Sequence, residues 1–478
     1  MEMPELKQVS EVVYELGRDF RPDMHVPLRV FADAQLLGQL KRDHSLGQLV
    51  NVCTLPGITH YALGMPDMHE GYGFPVGGVA GTLLPDGAIS PGGIGFDINC
   101  GVRLLASSLR FPDVESQLPT LVHELSRNIP TGYGRHGRLS LSRDELDRVL
   151  NEGCKYIVRE KQLGLEEDLE RIESQGSLPE ADASRVSERA KQRGQDQLGT
   201  LGGGNHFMEV QRVDAIFDEP GAKALGLAPE QLTVLIHSGS RGLGHQVCTD
   251  YVRLMDQALS GYKISLPDRQ LACAPLSSKL GRDYFVAMCA AANFAWANRQ
   301  VLAQRVRETF SRVLGAGPNS KLSLVYDVAH NIAKVEQFGI QRLCVHRKGA
   351  TRAFGPSSPD IPAVYRGVGQ PVFIPGSMGT ASFVLVGTDA ARDLSLNSAC
   401  HGAGRALSRT AAKKEVTGHL LRKELEGRGI IVRCASNTEL AEEAPIAYKD
   451  VERVVDVVTR AGIAKKVARL VPRGVLKG

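Results

Sequence analysis

The sequence has few of the features that mark membrane proteins or general nucleic-acid binders. None of its apolar runs approaches the roughly 18 residues that a membrane-spanning helix needs. The formal net charge is only +4, and aromatic residues make up 5% of the chain with a single tryptophan. A broad basic face for nucleic acid and a platform of aromatic rings for single-stranded bases are therefore not expected. The composition is typical of a soluble globular protein.

Close pairs of cysteines are also missing. The nine cysteines are never closer than 16 residues to one another, which excludes zinc ribbons and redox motifs built on Cys-x-x-Cys. Widely spaced thiols suit a reducing compartment. The acidic and polar first residues lack the charged-then-apolar order of a signal peptide. These features predict a cytoplasmic protein without a membrane segment.

Two common nucleotide-binding motifs are absent as well. The chain contains no Gly-x-x-x-x-Gly-Lys-Ser/Thr loop, which excludes a P-loop NTPase. It also lacks the Lys-x-Asp-Gly block whose lysine accepts the nucleotide in the common ATP-dependent ligases. Any phosphate chemistry must therefore use other residues.

Glycine, in contrast, is abundant and clustered. The 51 glycines are about 11% of the chain, against about 7% in average proteins. Five windows hold 28 of them: residues 57–101, 199–204, 239–244, 349–387 and 402–404. Clustered glycine indicates backbone that turns tightly or comes close to another group. The loops of this protein are therefore the first place to look for a site.

Periodicity predicts strands and helices that interleave irregularly, without an internal repeat. Residues 111–196 carry charged, helix-period patterns, including a capping box at Ser142 and Glu145, and are interpreted as a helical insertion. The predicted helices are Glu5–Leu16, Ser142–Val149, Val186–Lys191, Tyr284–Leu314 and Asp450–Ala461. The predicted strands are Val76–Leu84, Val102–Leu109, Leu232–His237, Leu322–Asp327, Leu343–Arg347, Phe383–Gly387 and Lys466–Pro472. We expect a mixed α/β (α+β) fold in one large domain over residues 1–478.

Several glycine turns carry residue types that bind metals. Asp97 and Cys100 lie three residues apart, so both could reach one point if the loop curls. His206, His237 and His330 stand in blocks of the same form and could complete the site. Each histidine alone could equally be a satisfied core or turn residue. Cysteine and histidine ligands favour Zn²⁺, whereas a carboxylate with open positions admits Mn²⁺ or Fe²⁺, so sequence chemistry leaves the metal open.

His401 stands before two glycines and an arginine, in the block His401–Arg405. Glycine amides and a guanidinium bind phosphate oxygens, and a neutral imidazole is a competent nucleophile at phosphorus. Two further stretches could cradle anions, Pro375–Ser382 and Val345–Arg352. The alternatives are a turn that leads into a helix, and a solvated charged face.

Together these blocks resemble the RtcB family of RNA-splicing ligases from about residue 50 onward. The blocks that carry the resemblance, all in family order, are Gly64–Gly78 (GMPDMHEGYGFPVGG), Asp97–Arg103 (DINCGVR), Gly203–Phe207 (GGNHF), His237–Gly242 (HSGSRG), His330–Asn331, His346–Arg352 (HRKGATR), Pro375–Gly379 (PGSMG) and His401–Arg405 (HGAGR). These motifs are long and specific, and no position that the chemistry needs departs from the family pattern.

The resemblance implies an RNA ligase that uses GTP and Mn²⁺ in tRNA splicing, RNA repair or both. It would join a 2′,3′-cyclic phosphate or 3′-phosphate end to a 5′-hydroxyl end, as in tRNA halves. His401 matches the histidine that carries GMP, and Cys100 the thiolate shared by two Mn²⁺ ions. Asp97 and His206 would complete one metal site, and His237 and His330 the other.

The resemblance also implies further site residues and a fold with central sheets around a deep metal and nucleotide pocket. Residues expected to bind GTP or GMP are Asn205, Glu209, Asn331, Ser377, Ser382, Gly402, Ala403, Gly404, Tyr448 and Lys477. Residues expected to hold RNA phosphates are Arg241, Arg347, Lys348, Arg352, Arg405 and Arg409. We expect a monomer, and the need for the activator archease stays open. The rival interpretations are a binuclear metallophosphoesterase, which has no use for His401, and a binding protein that keeps the fold.

Overall fold

Two large sheets carry most of the strands. A computed structural model describes residues 5–478 apart from 133, 135, 316 and 318–320. The strands are, in chain order, β1 (Lys7–Ser10), β2 (Val13–Leu16), β3 (Leu28–Phe31), β4 (Ile58–His69), β5 (Val76–Leu83), β6 (Ala88–Ile89), β7 (Gly101–Arg110), β8 (Phe207–Ile216), β9 (Gln231–Ser238), β10 (Ala274–Pro275), β11 (Ser323–Ala329), β12 (Asn331–Phe338), β13 (Gln341–Lys348), β14 (Ala350–Arg352), β15 (Pro371–Ile374), β16 (Ser382–Gly387), β17 (Ser398–Cys400), β18 (Ile431–Cys434) and β19 (Ala464–Lys477).

The helices surround these sheets. They are α1 (Ala34–Leu40), α2 (Ser45–Val52), α3 (Phe111–Val114), α4 (Leu118–Asn128), α5 (Arg143–Glu152), α6 (Cys154–Arg159), α7 (Glu166–Leu169), α8 (Glu188–Gly194), α9 (Glu219–Leu225), α10 (Arg241–Ala258), α11 (Lys279–Leu314), α12 (Ala391–Ser395), α13 (Arg409–Glu415), α14 (Gly418–Gly427), α15 (Asn437–Glu442) and α16 (Val451–Arg460). Among the residues that the structure describes, no helix combines the length and apolar character needed to cross a membrane. The expected mixed α/β class is confirmed.

The two sheets differ in strand order. The first runs β1-β2-β3-β4-β5-β13-β12, and the second runs β11-β7-β9-β8-β19-β16-β15 with β18 beside β19. Most neighbours are antiparallel, and the pairs β3–β4 and β18–β19 are parallel. Separate apolar clusters pack against the sheets, rich in the β-branched residues that fit a pleated surface.

The second sheet brings four distant chain segments to one edge. Cys100 immediately precedes β7, His206 precedes β8, His330 follows β11, and His237 is the last residue but one of β9. In the register, Val102 pairs with His237, which pairs with Phe207 on its other side. The candidate ligands therefore meet because four strand ends are adjacent.

The long helix α11 packs behind this edge. Every residue from 287 to 303 is buried, which agrees with the alanine-rich composition of the segment. Small side chains let the helix approach β9 and helices α4, α5, α6 and α10 closely. The predicted helix Tyr284–Leu314 is confirmed and begins earlier, at Lys279, after the Ser278 cap.

Other local predictions can now be compared with the structure. Residues 111–196 contain α3 to α8, and Ser142 and Glu145 form the predicted capping box at the start of α5. The strand predictions are confirmed to within a few residues. The helix predicted over Glu5–Leu16 is wrong, because these residues form the antiparallel pair β1–β2. Its β-branched valines favour strand geometry, and Val13 and Leu16 are buried there.

Candidate active site

The five candidate metal ligands converge on one point at the sheet edge. The Sγ atom of Cys100 lies 3.3 Å from Nε2 of His206 and 3.3 Å from Nε2 of His237. His206 Nε2 is 2.7 Å from a carboxylate oxygen of Asp97, and His237 Nε2 is 3.3 Å from His330 Nε2. The residues form two groups that share Cys100. One contains Cys100, His237 and His330, and the other contains Asp97, Cys100 and His206. Within each group the ligand atoms lie within 4.8 Å of one another.

Burial sets the protonation of this cluster. Burial lowers the pKa of His206, and lowers those of His237 and His330 well below the ordinary value. Neutral imidazoles present lone pairs, which is the form that binds metals. Burial tends to raise the pKa of Asp97, but His206 and Arg241 outweigh that effect and keep it low. The cluster therefore offers a carboxylate and three neutral imidazoles around one thiol.

This donor set fits two divalent cations that share the Cys100 sulfur. Burial and the nearby Asp97 charge raise the pKa of the thiol well above its ordinary value, so a thiolate here needs cations beside it. Nδ1 of His237 and Nδ1 of His330 are buried and have no hydrogen-bond partner within the described part of the chain, while their Nε2 atoms face the cluster. The residue types alone do not choose between zinc, manganese and iron.

His401 lies on the same cavity, held by a buried carboxylate. Its Nδ1 donates to Oδ2 of Asp67 at 2.6 Å, and its backbone N–H donates to the same oxygen at 3.1 Å. Asp67 is completely buried. Since the carboxylate fixes the proton on Nδ1, Nε2 carries the lone pair. The His401 ring is 4.8 Å from the ring of His330, between centroids.

The chain around Asp67 is held in turn by Lys449. The buried Lys449 ammonium donates to the backbone oxygens of Pro66 and Met68, on either side of Asp67. Gly404 approaches from the opposite side with φ +74°, and a Cβ at that position would lie 2.2 Å from the Asp67 carbonyl oxygen. Only glycine fits there, so this glycine of the His401 block is required by close backbone approach.

A cavity of about 280 Å³ opens between the metal cluster and His401. Its lining includes most of the residues that the sequence predicts for metal, nucleotide or RNA: Asn205, His237, His330, Asn331, Lys348, Ser377, His401, Gly402, Ala403, Gly404, Arg405, Arg409, Tyr448 and Lys477. Phe96, Phe207 and Met378 add apolar surface. An apolar wall with convergent polar groups is typical of a small-molecule site.

Glu209 and Ser382 lie behind this wall. Both are buried, and the amide of Gln211 donates to each of them, at 2.7 Å and 3.1 Å. Among the residues that the structure describes, none forms a hydrogen bond with Oε1 of Glu209. Burial raises the pKa of Glu209 to about 8. This carboxyl group is therefore an unsatisfied acceptor beside the cavity.

Glu443 is a site residue that the sequence interpretation missed. It is buried, and it pairs with Arg405 at 3.2 Å and Arg409 at 3.1 Å, and accepts a hydrogen bond from the Tyr448 hydroxyl. Lys477 Nζ lies 3.8 Å from the same carboxylate. The surrounding sequence is acidic and reads as a solvated helix face, so only its spatial partners reveal it. Asp67 was missed for a similar reason, because a single carboxylate within a glycine-rich block has no distinctive spacing.

The predicted RNA-binding cations do not all reach this cavity. Lys348 does, and its ammonium donates to the backbone oxygens of Tyr72 and Phe74 at 2.7 Å and 2.9 Å. Arg241 donates to Nδ1 of His206 at 3.0 Å and so lies behind a metal ligand. The side-chain amide of Asn331 is likewise used within the protein. It donates to the Asp97 carbonyl oxygen and accepts from the Gly349 backbone N–H.

Two of these arginines lie elsewhere. Arg347 is completely buried and forms an ion pair with Glu336 at 2.5 Å, which leaves no surface for a phosphate. Arg352 lines a second cavity and lies 3.6 Å from the buried Glu173. Their placement does not support the expected RNA contact. Alternation along β13 points Arg347 to the opposite face from Lys348, and Arg352 on β14 faces the second cavity.

Comparison with known proteins finds relatives over nearly the whole chain. The family model described as tRNA-splicing ligase RtcB matches residues 48–478. The chain is 52% identical over 478 residues to the tRNA-splicing ligase RtcB of Archaeoglobus fulgidus, with 99% of each chain covered. It is 51% identical over 482 residues to that of Thermococcus kodakarensis, with both chains covered completely. The RNA-splicing ligase RtcB of Mycobacterium tuberculosis is 50% identical over 438 residues, 90% of this chain and 100% of the relative.

Proposed function

The chain belongs to the tRNA-splicing ligase RtcB family, and from this membership and the site we propose that it is a GTP- and Mn²⁺-dependent RNA ligase. It joins RNA ends that carry a 2′,3′-cyclic phosphate or 3′-phosphate to 5′-hydroxyl ends. The observation that carries the proposal is the position of His401, with Nδ1 on Asp67 and its ring 4.8 Å from the ligand His330. A phosphoesterase needs the metal ligands but has no use for such a nucleophile.

The chain holds the groups that the reaction needs around one cavity. Asp97, Cys100 and His206 would hold one divalent cation, and Cys100, His237 and His330 the other. When bound, such cations neutralise phosphate charge and stabilise the attacking and leaving oxygens. The neutral imidazoles and the shared cysteine provide the donors, and the ion is Mn²⁺ by the family's chemistry.

His401 acts as the nucleophile in the first step. Its Nε2 attacks the α-phosphorus of GTP, an N–P bond forms, and the bond to pyrophosphate breaks. Asp67 keeps the proton on Nδ1 and stabilises the positive charge that develops on the ring. The product is GMP joined to His401, with pyrophosphate released.

Two further transfers then complete the reaction, after hydrolysis where the RNA end is a cyclic phosphate. Water first opens a cyclic phosphate to a 3′-phosphate, whose oxygen attacks the GMP phosphorus and releases His401. The 5′-hydroxyl next attacks the RNA 3′-phosphorus, loses its proton, and displaces GMP. A phosphate monoester has no good leaving group, whereas the RNA diphosphate to guanosine has one, so the activation is chemically necessary.

Guanine recognition is assigned to the residues behind and beside the cavity. Glu209 has the unsatisfied acceptor that guanine N1–H and the 2-amino group require. Ser382, Tyr448 and Lys477 complete the expected pocket, with Ser377 on the lining. The RNA phosphates are expected at Arg405, Arg409 and Lys348. The nine free cysteines, eight of them buried, suit a reducing cytoplasm.

The nucleophile is tested by incubating the full chain with α-labelled GTP and Mn²⁺, followed by a denaturing gel. A labelled protein band that is labile to acid and stable to alkali is expected, and His401→Ala should lose it. His419→Ala, at an exposed histidine on α14, is the control and should keep the band. A band that persists in His401→Ala would remove this residue as nucleophile. End processing without an adduct would favour the phosphoesterase.

A further inference from the structure

Arg299 lies at the centre of helix α11, completely buried, with all five N–H donors in use. Its Nη1 donates to the backbone oxygens of Asn99 and Ser238 at 2.7 Å and 2.9 Å. Its Nη2 donates to the side chain of Asn99 at 3.1 Å and to Asp327 at 2.8 Å. Its Nε donates to Asp327 at 2.9 Å.

These three partners are neighbours of metal ligands in the sequence. Asn99 precedes Cys100, Ser238 follows His237, and Asp327 lies three residues before His330 at the end of β11. One guanidinium therefore bonds the chain beside each member of the Cys100, His237 and His330 group. No donor of Arg299 remains for the segment that carries His206.

The chain is shaped to accept this guanidinium. A Cβ at Gly101 would lie 2.5 Å from the carbonyl oxygen of Val328 and 3.0 Å from both Cζ and Nη2 of Arg299, so glycine leaves room for the neighbouring strand and for the guanidinium. Asn99 has φ +52°, a conformation rare for side chains larger than glycine, and both its carbonyl and its side-chain oxygen bond Arg299. The turn that presents Cys100 is thus formed around the guanidinium.

The preceding residue holds a different part of the site. Asn298 accepts from the amide of Gly199 at 2.7 Å and donates to the carbonyl oxygens of Thr200 and Gly239 at 3.1 Å and 3.2 Å. Residues 199–200 lead into the loop that carries His206. Asn298 also donates to the Ser238 hydroxyl at 3.1 Å, so it joins the loop before His206 to the segment after His237. Arg299 bonds the segments that carry Cys100, His237 and His330.

We propose that Arg299 is a positioning residue that sets the spacing of Cys100, His237 and His330 and so determines whether this group binds a divalent cation. Lysine cannot replace it, because three donors on one atom cannot span three chain segments. The proposal rests on the proposed function only in assigning a cation to these ligands. Residues that orient metal ligands typically contribute about 10–100-fold in metal affinity.

The test measures metal binding directly. The metal-free full chain is titrated with Co²⁺, following the thiolate-to-cobalt absorption, and bound metal is counted by mass spectrometry. The wild type should bind two equivalents. In Arg299→Lys the equivalent held by Cys100, His237 and His330 should bind about 10–100-fold more weakly, as in a His237→Ala reference. The other equivalent, which shares only Cys100 with this group, should weaken less.

Arg307→Lys is the matched control. Arg307 is on the same helix and forms a two-fold ion pair with Asp168 at 2.6 Å and 2.7 Å, away from the ligand segments. It should lower the melting temperature of the metal-free protein yet keep both equivalents. Two wild-type equivalents in Arg299→Lys, or equal weakening in both lysine variants, would overturn the positioning role. A wild type that binds no Co²⁺ would instead contradict the metal assignment of the proposed function.

Discussion

Asp67 binds His401 twice through one oxygen, which lies 2.6 Å from Nδ1 of the ring and 3.1 Å from the backbone nitrogen. The two bonds fix both the rotation of the imidazole and its tautomer. Both bonds are made between groups of the protein and use no group of the nucleotide. The nucleophile is therefore oriented before GTP enters the cavity.

Asp67→Asn should slow transfer of GMP to His401 by about 100-fold or more, because an amide can hold the wrong tautomer and stabilises less positive charge. Binding of GTP should change little. The measurement is the single-turnover rate of adduct formation over a range of GTP concentrations. Asp33→Asn, at the cap of α1, is the control. An unchanged rate in Asp67→Asn would show that the carboxylate is not needed.

Cys100→Ala should abolish formation of the GMP adduct as well as RNA sealing. The shared sulfur contributes to both ligand groups, so its loss leaves each with two donors. Adduct formation and bound Mn²⁺ are measured on the same preparations. Cys53→Ala removes an equally buried thiol from the apolar cluster of the first sheet and should retain both. Guanylylation of Cys100→Ala at the wild-type rate would show that the two metal sites do not share the Cys100 sulfur.

GTP should bind more tightly as the pH rises from about 7 to above 8. Burial raises the pKa of Glu209 to about 8, so the free protein holds this group protonated at neutral pH. A protonated carboxyl cannot accept two guanine N–H donors, and GTP binding therefore releases a proton. The groups that face Glu209 are Gln211, which donates a hydrogen bond to it, and Lys477, and both lower its pKa less than burial raises it.

Calorimetry in buffers of different ionisation enthalpy measures the released proton. Glu209→Gln should weaken GTP more than ITP, which lacks the 2-amino group, and should remove the pH dependence. Ser382→Ala is the matched control. Ser382 accepts from the same Gln211 amide as Glu209, and this variant should keep the pH dependence of GTP binding. Equal losses for GTP and ITP in Glu209→Gln would contradict the guanine contact.

RNA binding should depend weakly on salt, because few cations line the cavity. Arg409→Ala should weaken RNA binding about equally for different sequences and reduce the salt slope by about one. Arg460→Ala, at a surface arginine paired with Asp456 on α16, is the control and should change neither. The slope is obtained by filter binding between low and moderate salt. A slope that implies about ten phosphates or more would point to a wide RNA surface.

The glycine-turn blocks and the family resemblance were enough to predict five side chains that the structure brings together, and periodicity was enough for the long helix and most strands. The predicted helix Glu5–Leu16 failed because Leu6, Val9, Val13 and Leu16 follow both a helical spacing and the composition of strands. Pairing between β1 and β2 decides between these, and a local pattern cannot show it. The secondary structure of a short apolar segment with mixed signals is determined by the strands with which it pairs.

The polar residues that organise the site were harder to find. Arg299 and Asn298 stand within an alanine-rich helix, where charged residues normally mark the solvated face, yet both are completely buried. Arg347 was assigned to RNA from its place in a run of cations, whereas Glu336, eleven residues earlier, binds it within the protein. In each case the partner comes from another strand or loop, and a single sequence without its fold gives no distance between them.

Strand β19 lies between β8 and β16, and this position affects when one wall of the cavity forms during folding. Val475 pairs with Glu209 and Lys477 with Phe207, so one wall of the cavity joins segments more than 260 residues apart. Contacts of such long range form late, because the intervening chain must be ordered first. The candidate metal ligands all lie between residues 97 and 330, well before this pairing in the chain. The last strand of the chain therefore completes the wall of the cavity that holds Phe207 and Lys477.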